Sequence, residues 1–179
     1  MSSISALANV HLIGQYGDYE GKNENSLLKI YEKKNLLIVQ ILQYKNSEVL
    51  IEDFDVDGLK FKNEPLNVVN NNDTRILWNG PKNWLLVSTK KGLLKNISEK
   101  FIESDFAVTD LSHSRAIFEI EGKNVKEVLK KGCPFNFNIL EKNNSINSTY
   151  NGVAFTIDML DNEPNKVRLF SLRSFGESL

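Results

Sequence analysis

The sequence spells a strand, a helix, a hairpin and a helix across residues 36–102, then the same order again across residues 107–179. That repetition limits this chain more than any other feature. The best-matched part is a hairpin followed by a helix. Ile76-Leu77-Trp78 and Leu85-Leu86-Val87 lead to a helix starting at Leu93, and Phe155-Thr156-Ile157 and Leu169-Phe170-Ser171 lead to Phe175. A strand-helix-strand-strand-helix unit is close to a split βαβ, so the expected fold is α+β, with antiparallel sheets and helices packed on one face. The expected form is tandem ferredoxin-like (βαββα) units. Residues 1–35 are expected as an N-terminal arm, residues 36–102 as the first half and residues 103–179 as the second, with both halves sharing one core.

The local signals are of several kinds. Residues 36–44 form an apolar run rich in Ile, Val and Leu, which fits a buried strand. A short helix is predicted next, with Leu50, Ile51 and Phe54 on one side. Asn79-Gly80-Pro81-Lys82 separates two apolar runs and marks a hairpin. Leu93, Ile97 and Phe101 recur every fourth residue among polar ones, the pattern of an amphipathic helix. In residues 115–121, Ala116, Phe118 and Ile120 alternate with Arg115, Glu119 and Glu121, as in a strand with one buried face. Val125, Val128 and Leu129 mark a second helix, with Gly132 where helices commonly end. An Asn-rich polar loop is expected before residues 153–160, then a turn at residues 161–165, a strand at residues 167–172 and a short helix start from Arg173.

A chain of 179 residues can build a full core. Its formal net charge of -1 gives no footprint for a polyanion, and the local lysine groups read as solvated helix faces, so nucleic acid is not an expected partner. No apolar stretch approaches the roughly 20 residues needed to cross a bilayer as a helix, so no membrane association is expected. The single cysteine, Cys133, has no partner for an internal disulfide, and residues 1–14 lack the pattern of a signal peptide, so the expected compartment is cytoplasmic.

Several stretches together carry a resemblance. They are Val108-Thr109-Asp110-Leu111-Ser112-His113-Ser114-Arg115, Lys131-Gly132-Cys133-Pro134, the upstream Leu77-Trp78-Asn79-Gly80-Pro81-Lys82-Asn83-Trp84, and the closing Arg173-Ser174-Phe175-Gly176-Glu177-Ser178-Leu179. In this order they resemble the gamma subunit of heterotetrameric sarcosine oxidase; Ser5-Ala6-Leu7-Ala8 matches loosely. Ser114 stands where the family usually has glycine, and the Asn-rich stretch at residues 143–151 is not family-like. The same region is similar, more distantly, to the folate-binding T-protein of the glycine cleavage system.

The resemblance implies a folate-binding T-protein-like fold and an accessory role in a complex that demethylates sarcosine oxidatively to glycine. The other products would be peroxide and either formaldehyde or methylene-tetrahydrofolate. It implies that this chain binds no cofactor itself, that FAD, FMN, NAD and tetrahydrofolate belong to the complex, and that the partners are a large alpha subunit with beta and delta subunits. Trp78, Trp84, Asp110, Ser112, His113, Arg115, Cys133, Pro134, Arg173 and Phe175 are the family-motif and interface candidates. In the T-protein a later strand carries acidic residues at the folate site; here Phe155 and Thr156 occupy the matching positions. The expectation is a retained fold that has lost its reactive carboxylate, with no catalytic, cofactor or metal residue. The alternatives are a stand-alone folate-dependent one-carbon transferase and a calcium-binding module.

The calcium reading rests on Asp53 to Glu64, which has the acidic spacing of an EF-hand loop. Against it, Lys60 replaces the usual apolar residue and Pro65 opens a stretch unlike an exiting helix. Asp110, Ser112 and His113 invite a catalytic triad, yet neighbours on one strand alternate faces, and Asp110 or Ser112 is expected instead to satisfy turn backbone groups. Arg115 is expected to pair with a carboxylate, within the chain or on the partner. Cys133 is expected to be a small buried residue and Trp78 and Trp84 to be packing residues. His11 is isolated, and no His/Cys cluster has zinc spacing.

Overall fold

The structure, a computed structural model, describes Ser5, Leu7, the backbone of residues 14–16, and residues 27–178. His11, Ala6 and Ala8 lie outside the described residues. The strands in chain order are β1 (Gly14–Tyr16), β2 (Leu28–Glu32), β3 (Leu37–Gln43), β4 (Asp55–Val56), β5 (Leu59–Lys60), β6 (Val68–Asn70), β7 (Thr74–Gly80) and β8 (Asn83–Ser88). Helix α1 (Leu93–Lys100), β9 (Phe106–Asp110), β10 (Arg115–Glu121) and helix α2 (Val125–Lys130) follow. The chain ends with β11 (Ser145–Tyr150), β12 (Val153–Asn162) and β13 (Asn165–Leu172). Two compact units divide it: Asn35–His113 with Asn143–Ile146, and Met1–Lys34 with Ser114–Lys142 and Asn147–Leu179.

The unit around β3 holds a five-stranded sheet in the order β6-β7-β8-β3-β9. Leu37, Val39 and Ile41 alternate toward one face and meet Ile76, Trp84, Leu86, Ile97 of α1 and Phe106 in a closed core. Phe101 fills its middle, with ring centroids 5.0 Å from both Phe54 and Phe106. Burying an aromatic or branched side chain of this kind contributes about 2 kcal/mol each, which is why α1 docks despite its shortness.

The other unit holds a six-stranded sheet in the order β1-β2-β10-β13-β12-β11. On one of its faces Ala116, Phe118, Phe155, Ile157, Met159, Val167 and Leu169 are buried, set side by side by the β10–β13 and β12–β13 registers. Val125 and Leu129 of α2 and Phe137 are buried in the same unit.

Read from β6 and from β11, the two sheets have corresponding orders, β6-β7-β8-β3-β9 and β11-β12-β13-β10-β2. The fifth strand of each comes from the other side of the chain, and β1 lies beyond β2 as the sixth strand of the second sheet. β2 directly precedes β3 in the chain but pairs with β10, and β9 directly precedes β10 but pairs with β3.

The expected boundaries therefore need correction. Residues 1–35 are not simply an arm, because β2 is an integral strand of the six-stranded sheet; Leu28 supplies its buried position, and Ile30, Tyr31 and Glu32 are half-buried. β9, expected at the start of the second half, completes the sheet of the first. The helix predicted around residues 50–54 is a single 3-10 turn, Ile51–Asp53, with extended backbone at Phe54. The Asn-rich stretch is not a loop. It contains β11, an edge strand whose polar residues need only one buried anchor, Ser145, and it turns into β12 through Asn151 (φ 48°) and Gly152 (φ 86°). The terminal helix start is one 3-10 turn, Arg173–Phe175.

Candidate functional site

The Asp110-to-Arg115 segment turns the chain from β9 into β10. The Asp110 carboxylate accepts from the Ser112 amide at 2.9 Å and from the Ser112 hydroxyl, and Ser112 Oγ accepts from the Ile38 amide at 3.0 Å. The Ser112 proton is thus committed to Asp110, and His113 is exposed. This is a turn that satisfies backbone donors, and it is not arranged as a nucleophile with a base. On the far side of the turn, the Ser114 carbonyl accepts from the Arg173 amide at 2.9 Å, which ties the closing 3-10 turn to the start of β10. Arg115 is half-buried, and its Nη1 donates to Ser114 Oγ at 3.4 Å. Burial pushes the Arg115 pKa down.

Trp84 is fully buried, meets Phe61 edge-on at 5.9 Å and donates from Nε1 to the Lys62 carbonyl at 2.8 Å. Its neighbour across the hairpin, Trp78, is half-buried and donates to Asn63 Oδ1 at 3.2 Å. Both are packing residues with satisfied ring nitrogens. Cys133 is buried beyond the end of α2; burial pushes its thiol up, against a smaller opposing hydrogen bond from Ser148, so it is a poor nucleophile at neutral pH. Pro134 follows it, exposed. Phe175 is 43% exposed on the closing turn.

Strand register brings together a group that the motifs did not announce. Glu119 of β10 lies opposite Tyr31 of β2 on one side and Arg168 of β13 on the other, and Arg168 lies opposite Asp158 of β12. The four form a polar row across four neighbouring strands on a single face. Glu119 is 3% exposed and Asp158 fully buried. Arg168 donates to Glu119 Oε1 from Nε at 2.9 Å and from Nη2 at 2.6 Å. Lys166 pairs with Glu121 at 3.1 Å and stands over the Tyr31 ring, 5.5 Å from its centroid.

Burial pushes the Glu119 carboxyl up, but the Arg168 hydrogen bonds and charge, helped by Tyr31 and Lys166, outweigh it and hold the carboxyl below its usual range. The Lys166 ammonium shows the mirror effect: burial lowers it, and the bonds to Tyr31 and Glu121 lift it above the ordinary lysine range. The alternation in residues 115–121 marked Glu119 as facing away from the core, but only pairing with β13 and β12 reveals its neighbours.

Phe155, at one of the two expected acidic positions, is buried in the core, and Thr156 donates to Asn147 Oδ1 at 2.6 Å. Neither supplies a carboxylate. Asp158 does, two residues further along β12 on the Thr156 side.

The EF-hand spacing of residues 53–64 takes a different shape. β4 and β5 form a hairpin closed by Asp57 (φ 54°) and Gly58 (φ 75°), the left-handed pair of a tight two-residue turn. The Asp57 carboxylate accepts from Thr74 Oγ1 at 2.7 Å and from Lys90 Nζ at 2.9 Å, and Asp55 pairs with Lys100. These carboxylates already hold protein cations. No group of three or more His, Cys, Asp or Glu among the described residues could hold a metal ion. Among the same residues no helix is long and apolar enough to cross a membrane.

No family model matches the sequence, and no curated protein does. Solved structures do. A chain of heterotetrameric sarcosine oxidase from Corynebacterium sp. U-96, determined in complex with pyrrole 2-carboxylate, aligns over 86% of this chain and 80% of its own, with a TM-score of 0.74 and 19% identity. The glycine cleavage system aminomethyltransferase T from Bartonella henselae aligns over 86% of this chain, with a TM-score of 0.62 and 12% identity, and the match spans 44% of that enzyme. The chain therefore has the fold of a chain of heterotetrameric sarcosine oxidase, a fold it shares more distantly with part of the aminomethyltransferase.

Proposed function

We propose that this chain is the gamma-type accessory subunit of a sarcosine oxidase complex. The observation that carries the reading is the match to a chain of heterotetrameric sarcosine oxidase over most of both lengths, against under half of the aminomethyltransferase. A chain matched nearly end to end fits a subunit role better than the role of a folate enzyme that lacks its remaining portion. The complex would convert sarcosine, oxygen and water to glycine, formaldehyde and hydrogen peroxide, or pass the one-carbon unit to tetrahydrofolate. The amine is oxidised at its N-methyl group and oxygen is reduced. FAD, FMN and NAD would be held by the other subunits, where the redox chemistry belongs.

In this reading the chain contributes contact surface to the large alpha subunit, alongside beta and delta subunits, in the cytoplasm. Its own polar groups support a non-catalytic role: Ser112 is spent on Asp110, and the Cys133 thiol is pushed up. We read the corresponding strand orders as a diverged duplication of a ferredoxin-like unit with its first strand exchanged.

The test is co-expression with the flavoprotein subunits of a heterotetrameric sarcosine oxidase, affinity purification through this chain, and a peroxide assay with sarcosine. A yellow complex that loses subunit integrity or activity without this chain is the expected result. A chain that purifies alone, with no sarcosine-dependent peroxide, overturns it.

One observation favours a second reading, a folate-dependent one-carbon transferase: the buried Asp158 carboxylate on the strand where the T-protein keeps its acids. Calorimetric titration of the purified chain with tetrahydrofolate separates the two, since saturable binding abolished by Asp158→Asn favours the transferase.

A further inference from the structure

Several cations of the unit that holds the six-stranded sheet are matched by acids. Arg168 meets Glu119, Lys166 meets Glu121, and Lys142 meets Asp161. Arg115, at the first position of β10, meets only the hydroxyl of its neighbour Ser114 among the described residues, at a long 3.4 Å. It is half-buried, and the burial that lowers its pKa is offset by no carboxylate there. A guanidinium that loses water without gaining an anion is costly to the free chain.

The surroundings of Arg115 are apolar and open. Its partner across the β10–β13 register is Leu172, which is 46% exposed. The 3-10 turn after Leu172 is tied beside Ser114 by the Arg173 amide, and it presents Phe175, 43% exposed. Large apolar side chains around one under-solvated arginine have the composition of an interface centre.

The charge pattern selects the occupant. A nucleic acid or an anionic membrane is held by many cations spread over a surface, whereas this chain has a net charge of -1 and the patch sets only Arg115 and the half-buried Arg173 among apolar shoulders. A single carboxylate set among apolar side chains on a protein surface matches it in charge and in polarity.

We infer that Arg115, shouldered by Leu172 and Phe175, is the docking anchor for an aspartate or glutamate side chain of the large flavoprotein subunit. This inference rests on the proposed subunit role and gives that role a place on the molecule. Arg115 pairs with its acid only on assembly, and the two apolar side chains exclude water from the pair.

The test measures affinity between the purified chain and the co-expressed flavoprotein subunit for wild type, Arg115→Gln, Arg115→Glu and Leu172→Ser, together with the melting temperature of each isolated chain. Arg115→Gln is expected to weaken the complex by about 30-fold or more, Arg115→Glu further, and Leu172→Ser measurably. The isolated Arg115→Gln chain is expected to melt at or above the wild-type temperature, since it loses no ion pair among the described residues. A reversed partner acid that restores binding to Arg115→Glu supports the pairing directly. Unchanged affinity in the Arg115 variants, with a stable wild-type complex, overturns the anchor and leaves the subunit role standing. A lowered melting temperature for Arg115→Gln assigns Arg115 to the fold and overturns the anchor. Altered sarcosine kinetics at unchanged subunit affinity would assign it to a small carboxylate ligand and likewise overturn it. If the wild-type chain forms no complex, the subunit role and the anchor fall together.

Discussion

Arg168 directs both Nε and Nη2 onto one oxygen of Glu119, Oε1, at 2.9 and 2.6 Å. The pair sits where the β10–β13 register sets the two residues face to face, with Glu119 3% exposed. Burial this deep makes the pair costly to form and more costly to break.

Glu119→Gln therefore removes one charge and strands the other. It is expected to lower stability by about 3 kcal/mol, while a double replacement by apolar residues of similar volume recovers most of that loss. Urea unfolding of the two variants checks it. The same pair sets an acid limit. The folded Glu119 carboxyl lies below its unfolded value of 4.5, so the unfolded chain binds more protons near that pH. The contribution is complete above the unfolded pKa and is lost as pH falls through the folded one. Thermal melts on either side of pH 4.5 are expected to show wild type losing more than Glu119→Gln.

A second acid effect belongs to the β4–β5 hairpin. Hydrogen bonds from Thr74 and then Lys90 hold the Asp57 carboxyl down at about 2, against an ordinary 3.8. Asp57 should stay ionised through mild acid and protonate only near pH 2, so its contribution is present above 3.8 and disappears as pH falls to about 2. Asp57→Asn is expected to lower the melting temperature at neutral pH and to flatten this part of the acid profile. Because the carboxylate is already bonded to Thr74 and Lys90, millimolar calcium is expected to leave the wild-type melting temperature unchanged.

Gly132 predicts a packing defect. A Cβ at this position would come within 2.6 Å of the Tyr150 ring, closer than real contacts allow. Gly132→Ala is expected to cost about 1–3 kcal/mol, and Tyr150→Leu in the same chain to return part of it. Chemical denaturation of the single and double variants measures both.

The strands and helices with a strong period were legible in the sequence. Ile76 to Trp78, Leu85 to Val87 and the Leu93-Ile97-Phe101 face all took their expected forms, because each buries a side that its own residues announce. Gly132 was legible as a special position but for another reason: it clears room for a ring and does not serve as a left-handed helix end. β11 was hidden because an edge strand needs few apolar residues, and Asn-rich sequence reads as loop. β2 was hidden because its partner, β10, lies far along the chain. The row of Tyr31, Glu119, Arg168 and Asp158 was illegible for the same reason. Each residue is ordinary alone, and the row exists only in the register of four strands.

The crossing of β2 and β9 into each other's sheets makes the halves of this gene inseparable. A fragment ending at residue 102 would carry β2 with no β10 to receive it and would leave β3 bare along the edge that β9 covers. During synthesis β2 leaves the ribosome long before β10, so the edge it offers to β10 waits unpaired and the six-stranded sheet can close only late.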